Sequence, residues 1–123
     1  MKINNFTELD CWKKARELMN AIYDLAQNET FRKDFGLIDQ IKRSSVSAMA
    51  NIAEGFGARS NIEFIRFLNI TIRSLYETQS HLFVALDQGY LAENEFNQHI
   101  ALADDCINLC KGLVRYLSST RKK

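Results

Sequence analysis

Proline is absent from the sequence, and only five of its 123 residues are glycine. Proline breaks helices and glycine weakens them by about 1 kcal/mol relative to alanine, so the scarcity of both permits long uninterrupted helices. The sequence also lacks any run of about 18 apolar residues, the length that a membrane-spanning helix needs. These absences favour a helical protein without a membrane partner.

Cysteine is also scarce. The three cysteines, Cys11, Cys106 and Cys110, are an odd number at spacings that do not fit a disulfide framework. The first ten residues, MKINNFTELD, contain no apolar stretch of the signal-peptide type. Together these features predict a reducing, cytoplasmic location.

Charge of one sign is not in large excess, because 16 basic and 15 acidic residues give a net charge of +1. This balance argues against a protein whose whole surface binds nucleic acid. The balance is uneven along the chain, however, because residues 111–123 carry five basic residues and no acidic one.

The spacing of apolar residues predicts four helices, at about 7–27, 37–56, 60–88 and 92–118. Residues typical of helix ends mark their boundaries: Thr7 with Asp10, Gly55 with Gly57, Ser60 with Glu63, and Gly89 with Tyr90. Four helices joined by short loops predict an all-α fold, one antiparallel up-down-up-down bundle over residues 1–123.

The third predicted helix has more apolar residues than one core requires. Between Ile62 and Leu86, 14 of 25 residues are apolar, where about 11 would suffice for one buried face. The excess indicates either a wide core-facing side or a second face that meets another subunit. Because many of the extra residues are aromatic, we favour an oligomer. Its predicted interface is Phe64, Phe67, Tyr76, Phe83, Leu109 and Tyr116.

The second helix contains the motifs QIKR (40–43), VS (46–47) and NIAEGFG (51–57). With them, the sequence resembles the four-helix-bundle proteins encoded in intervening sequences of bacterial 23S rRNA. The resemblance covers nearly the whole chain and continues at Leu9, Trp12, Ala15, Tyr23, Glu63-Phe64, Arg66-Phe67-Leu68, Ser74-Leu75, Glu77 and Gly89-Tyr90.

The resemblance implies a small bundle that associates as a ring-shaped homopentamer and has no known enzymatic activity. The family is also similar to accessory variability proteins of diversity-generating retroelements, which implies RNA, DNA or a nucleic-acid enzyme as partner. This sequence departs from the family pattern in having Met49 where relatives often have proline. It also has Ala58 where relatives often have a basic residue. If that basic residue contacts a partner, Arg59 would have to make the contact in this chain.

The motif residues Arg43, Asn51, Glu54, Gly55 and Gly57 form the predicted structural site. A carboxylate at Glu54 is disfavoured by the dipole at the end of its helix. We therefore expect Glu54 to bind Arg43, Arg59 or a neighbouring subunit. Two interpretations remain open: a buried polar clasp that sets helix register, or a ligand-binding or catalytic role.

Motifs for catalysis or metal binding are not found. The sequence has no Gly-x-Ser-x-Gly, phosphate-binding glycine-rich loop or His-Glu-x-x-His motif. His99, Cys106 and Cys110 fall near one helix face but lack the close pairs typical of zinc sites. The sequence therefore predicts no enzyme, no cofactor, no metal site and no small-molecule substrate.

Basic residues supply the candidate nucleic-acid contacts: Lys42, Arg59, Arg66, Lys111, Arg115, Arg121, Lys122 and Lys123. The last five form either a solvated helix end or, repeated around a ring, a phosphate-binding rim. The first three are expected at a different edge. The predicted function is a non-catalytic, homo-oligomeric scaffold or adaptor for RNA, DNA or a nucleic-acid enzyme. The alternative is a protein–protein interaction module without a nucleic-acid role.

Overall fold

The computed structural model describes residues 2–121, and this part of the chain has four α-helices and no strand. The helices are α1 (Asp10–Leu25), α2 (Phe35–Phe56), α3 (Asn61–Asp87) and α4 (Glu93–Arg121), with short 3-10 turns at Phe6–Glu8 and Phe31–Lys33. The predicted all-α four-helix fold is confirmed. None of the described helices has the length and hydropathy needed to cross a membrane.

Each helix packs against two others, because α2 contacts α1 and α3 while α4 contacts α3 and α1. Hydrogen bonds fix the alignment of α3 on its neighbours. Ser44 of α2 bonds to Thr78, and Thr71 bonds to the carbonyl of Ala48, so residue numbers fall along α3 as they rise along α2. The first residue of α3, Asn61, lies beside Leu117, near the end of α4.

One hydrophobic core runs through the bundle. Its largest fully buried side chains include Leu18 and Ile22 from α1, Ile41 and Ile52 from α2, and Leu68, Leu75 and Leu82 from α3. Phe31, in the turn between α1 and α2, stacks on Tyr90 with 5.2 Å between ring centroids and closes one end of this core.

Two helices begin elsewhere than predicted. Helix α1 starts at Asp10 instead of Thr7, because Thr7 lies in a separate 3-10 turn that Asn5 caps with a 2.9 Å hydrogen bond. The extended backbone of Leu9 then separates the turn from α1 and lets the Leu9 side chain enter the core. Helix α2 starts at Phe35, where the carboxylate of Asp34 accepts from the backbone N–H of Leu37 at 3.2 Å.

The predicted boundaries of α3 are close to those observed. The Ser60 hydroxyl accepts from the backbone N–H of Glu63 at 3.2 Å, as an N-cap does. Past the other end, Gly89 has φ 76°, and the N–H of Tyr90 bonds to the carbonyl of Ala85 at 2.9 Å. This is the predicted Schellman stop, which requires a residue that tolerates positive φ.

The prediction that Gly55 ends the second helix was wrong. Gly55 lies inside α2, and Gly89 is the only glycine among the described residues with positive φ. A Cβ atom at Gly55 would lie 2.8 Å from both Cδ1 of Phe64 and Cβ of Phe67. Gly55 is thus needed for the close approach of α3, whereas Gly57 follows the last residue of α2.

Candidate assembly and nucleic-acid-binding surfaces

The predicted clasp around Glu54 does not form inside the protomer. Glu54 is exposed and, among the residues that the structure describes, its side chain has no hydrogen bond or ion pair. Arg43 instead binds Asp39, one turn away, at 2.8 Å. The Asn51 amide donates to the carbonyl of Ser47 at 2.9 Å. The expected pairing of Glu54 with Arg43 or Arg59 was therefore wrong, because the (i, i+4) carboxylate of Asp39 is the nearer partner; a bond to a neighbouring subunit stays a prediction.

Hydroxyl groups provide the polar contacts between α2 and α3. The hydroxyl oxygens of Ser44 and Thr78 are 2.7 Å apart, and Thr71 donates to the carbonyl of Ala48 at 3.0 Å. All three side chains are buried, so these bonds satisfy groups that would otherwise be costly to remove from water. The spacing of Thr71, Ser74 and Thr78 is the sequence signal for this polar row on α3, which was not among the predicted sites.

The predicted oligomer interface was wrong for Phe64, which is only 6% exposed. Its ring packs edge-on against Phe56 inside the protomer, in the space that Gly55 leaves open. Phe67 is half-buried, and the guanidinium of Arg66 lies 4.5 Å from the centre of its ring. Neither residue presents a large free apolar surface.

The other four predicted interface residues are exposed, at 49% for Tyr76, 54% for Phe83, 37% for Leu109 and 43% for Tyr116. They lie on two different flanks of α4. Tyr76 and Phe83 of α3 contact Lys111 and Phe96 of α4. Leu109 faces α1, and Tyr116, seven residues further on, falls on the same side of the helix.

The flank between α3 and α4 contains a basic groove, lined by Asn69, Ile72, Lys111, Val114 and Arg115. The ammonium of Lys111 donates to the hydroxyl of Tyr76 at 3.2 Å. Within residues 2–121, neither Lys111 nor Arg115 forms an ion pair with a carboxylate. Among these residues, no direct ion pair therefore neutralises the two positive charges.

The flank between α1 and α4 contains an acidic groove. One part is lined by Ile3, Glu8, Leu9, Asp10, Cys11, Leu109 and Leu113, and the adjoining part by Lys14, Asp105, Asn108 and Leu109. Three carboxylates thus face one ammonium group, and Lys14 is already paired with Glu17 at 3.1 Å. The acidic groove carries an excess of negative charge around an apolar centre.

The turn between α2 and α3 lies at the same end of the bundle as the end of α4. Asn61, at the start of α3, donates to the carbonyl of Leu117 at 3.4 Å, and Arg59 lies two residues earlier. For the described part of α4, the expectation that Arg59 and the C-terminal basic residues lie at different edges was therefore wrong. Arg121 is the last residue of α4, whereas Lys122 and Lys123 lie outside the described residues.

Two other predicted nucleic-acid contacts are engaged within the protomer. Arg66 forms an ion pair with Glu63 at 3.0 Å. The ammonium of Lys42 lies 4.7 Å from the centre of the Tyr23 ring, between α1 and α2. Lys42 is thus set apart from the end that carries Arg59.

The cysteines and His99 link α1 to α4. All three cysteines are buried, and the Cys106 thiol donates to the carbonyl of Cys11 at 3.5 Å. Hydrogen bonds with Cys106 and Cys11, together with burial, raise the pKa of the Cys110 thiol, which keeps it protonated and unreactive. The His99 ring contacts the carbonyls of Glu95 and Ala21, at 2.7 and 3.3 Å.

These features define a four-helix bundle with charged and apolar grooves on both flanks of one helix. The sequence profile of the 23S rRNA-intervening sequence protein family matches residues 7–112, so the chain belongs to this family. A search among curated proteins found no match. Among solved structures, the chain is similar to a protein of unknown function from the S23 ribosomal protein family of Bacteroides thetaiotaomicron VPI-5482. The TM-score is 0.77 and the identity 27%, over 85% of this chain and 97% of that one.

Proposed function

We propose that the chain is a non-catalytic scaffold or adaptor that works as a ring of identical copies, five in number by the family resemblance. The observation that supports this proposal is the exposure of large apolar side chains on both flanks of α4. Phe83 is 54% exposed and Tyr116 is 43% exposed. Burying such surface against another copy gains about 25 cal/mol per Å², and exposed apolar patches of this kind are typical of interaction sites.

Light scattering after size exclusion tests the assembly. We expect a mass that is a multiple of 14.2 kDa at micromolar concentration. The Leu109→Asp variant places a charge on an exposed position of the α1–α4 flank and should lower this mass. The control is Phe35→Ala, because Phe35 is 80% exposed but lies at the start of α2, away from both flanks. A wild-type monomer would rule out the ring.

Nucleic acid is the partner that one further observation favours. Arg59 lies at the same end of the bundle as Arg121, the last residue of α4. A ring in which all copies point the same way repeats these charges on one rim, which multiplies the attraction for phosphate groups. The competing function is a module that binds only proteins.

Fluorescence anisotropy with labelled single-stranded RNA and DNA separates these two functions. Binding to the rim should weaken steeply as salt is raised, because each neutralised phosphate releases counterions. The Arg59→Glu variant should bind several-fold more weakly. Lys33→Glu is the control, since Lys33 lies in the turn between α1 and α2, at the other end of the bundle. If the protein does not bind nucleic acid at low salt, or if both variants lose affinity equally, the module that binds only proteins is the better description.

A further inference from the structure

We propose that the basic groove of one copy binds the acidic groove of the next, with α4 facing the axis of the ring. This inference rests on the proposed homo-oligomer and adds to it the two surfaces that meet. The partner at each groove is therefore a second copy of this chain.

Charge complementarity is the first argument. The basic groove presents Lys111 and Arg115 and has no acidic residue in its lining. The acidic groove presents Glu8, Asp10 and Asp105, with only the paired Lys14 opposing them. Charged groups arranged in this way steer two surfaces together and select one orientation, while the affinity comes mainly from the apolar centre.

Both grooves have such an apolar centre. In the basic groove it is formed by Ile72 and Val114, with the exposed ring of Tyr76 beside them. In the acidic groove it is formed by Leu109 and Leu113 with the buried Leu9 beneath. Each groove thus combines apolar contact area with charge of one sign, as interaction surfaces with a defined partner do.

The positions of the two grooves around the bundle also fit a ring. They share α4 and lie at similar heights along it, because Lys111 and Leu109 are only two residues apart. In a four-helix bundle, two flanks that share one helix face adjacent directions and not opposite ones. Contacts through adjacent flanks turn each copy relative to the last, so the chain of contacts can close into a small ring. Contacts through opposite flanks would extend into a filament instead.

Charge exchange between the grooves tests the pairing. Lys111→Glu with Arg115→Glu reverses the basic groove, and Asp10→Lys with Asp105→Lys reverses the acidic groove. Each pair of substitutions brings like charges together and should reduce the mass by light scattering to that of a monomer. All four substitutions in one chain exchange the signs of both grooves and should restore the wild-type mass. The control Lys33→Glu with Arg43→Glu changes charge outside both grooves and should leave the mass unchanged.

Three outcomes would overturn the pairing. The first is a wild-type oligomer whose mass neither reversed groove changes, and the second is a chain with all four substitutions that stays monomeric although circular dichroism shows it to be folded. The third is a reversed basic groove that loses nucleic-acid binding but keeps the wild-type mass, since the groove would then bind nucleic acid. A wild-type monomer would instead contradict the proposed function itself. If the reversed variants do not fold, Lys111→Ala with Arg115→Ala should still raise the dissociation constant of the oligomer at least tenfold, and an unchanged constant would contradict the pairing.

Discussion

The contact between α2 and α3 differs in kind from the two flanks of α4. Between α2 and α3, glycine, serine and threonine allow close approach, and the buried hydroxyls of Ser44 and Thr78 bond to each other. Along the flanks of α4, larger side chains line open grooves, and Tyr76 and Leu109 are partly exposed to solvent. In the α2–α3 contact, polar groups are hydrogen-bonded and apolar groups are buried. Along the flanks of α4, the charges of the basic groove lack ion-pair partners among the described residues, and apolar side chains remain partly exposed. We infer that the α2–α3 contact serves protomer stability and the flanks of α4 serve assembly.

The largest effect expected from a single methyl group is at Gly55. Gly55→Ala would force Cβ to within 2.8 Å of the Phe64 and Phe67 side chains, and separating α2 from α3 should cost about 2 kcal/mol of unfolding free energy. Gly57→Ala is the matched control, because its nearest contact would be an ordinary 3.6 Å to the carbonyl of Glu54 and its φ is −79°. The control should be neutral or stabilise by about 0.5 kcal/mol.

Urea unfolding followed by circular dichroism measures both variants. Equal stability of Gly55→Ala and Gly57→Ala would show that α3 does not depend on the missing side chain at Gly55. The proposal that the α2–α3 contact serves protomer stability, while the flanks of α4 serve assembly, would then lose its main structural support.

A smaller effect is expected from the buried hydroxyl groups. Thr78→Val keeps the shape of the side chain but removes the bonds to Ser44 and to the carbonyl of Ser74, which should cost about 1 kcal/mol. Ser80→Val, at an exposed position of the same helix, should change the unfolding free energy much less. If both substitutions lower the unfolding free energy equally in urea, the buried hydroxyl groups between α2 and α3 make no specific contribution to stability.

The smallest effect on the protomer is expected at the flank of α4. Lys111→Met removes an exposed ammonium and its hydrogen bond to Tyr76, and should change the unfolding free energy by about 0.5 kcal/mol or less. Measuring it in the Leu109→Asp background removes the contribution of assembly. A loss of unfolding free energy as large as that of Gly55→Ala would mean that this flank stabilises the protomer. That result would contradict the inference that the flanks of α4 serve assembly.

Features that depend on a few neighbouring residues could be predicted from the sequence. The cap at Ser60 and the stop at Gly89 are set by hydrogen bonds within six residues, and both were found where the sequence indicates them. The start of α1 could not be predicted as well, because Asn5 and Thr7 are both capping residues. Neither of them caps α1, whose N-cap position is the buried Leu9, and burial depends on the rest of the bundle.

Composition and periodicity alone determined that this chain forms four helices, because an apolar residue every three or four positions and the absence of proline leave few alternatives. Tertiary structure decided what each surface presents. It placed Phe64 in the core through the gap at Gly55, and among the described residues it left the Glu54 side chain without a partner. It also placed the two charged grooves on either side of α4. The physical reason is that the alignment of one helix on the next comes from side-chain packing between residues distant in the chain, which local patterns do not specify.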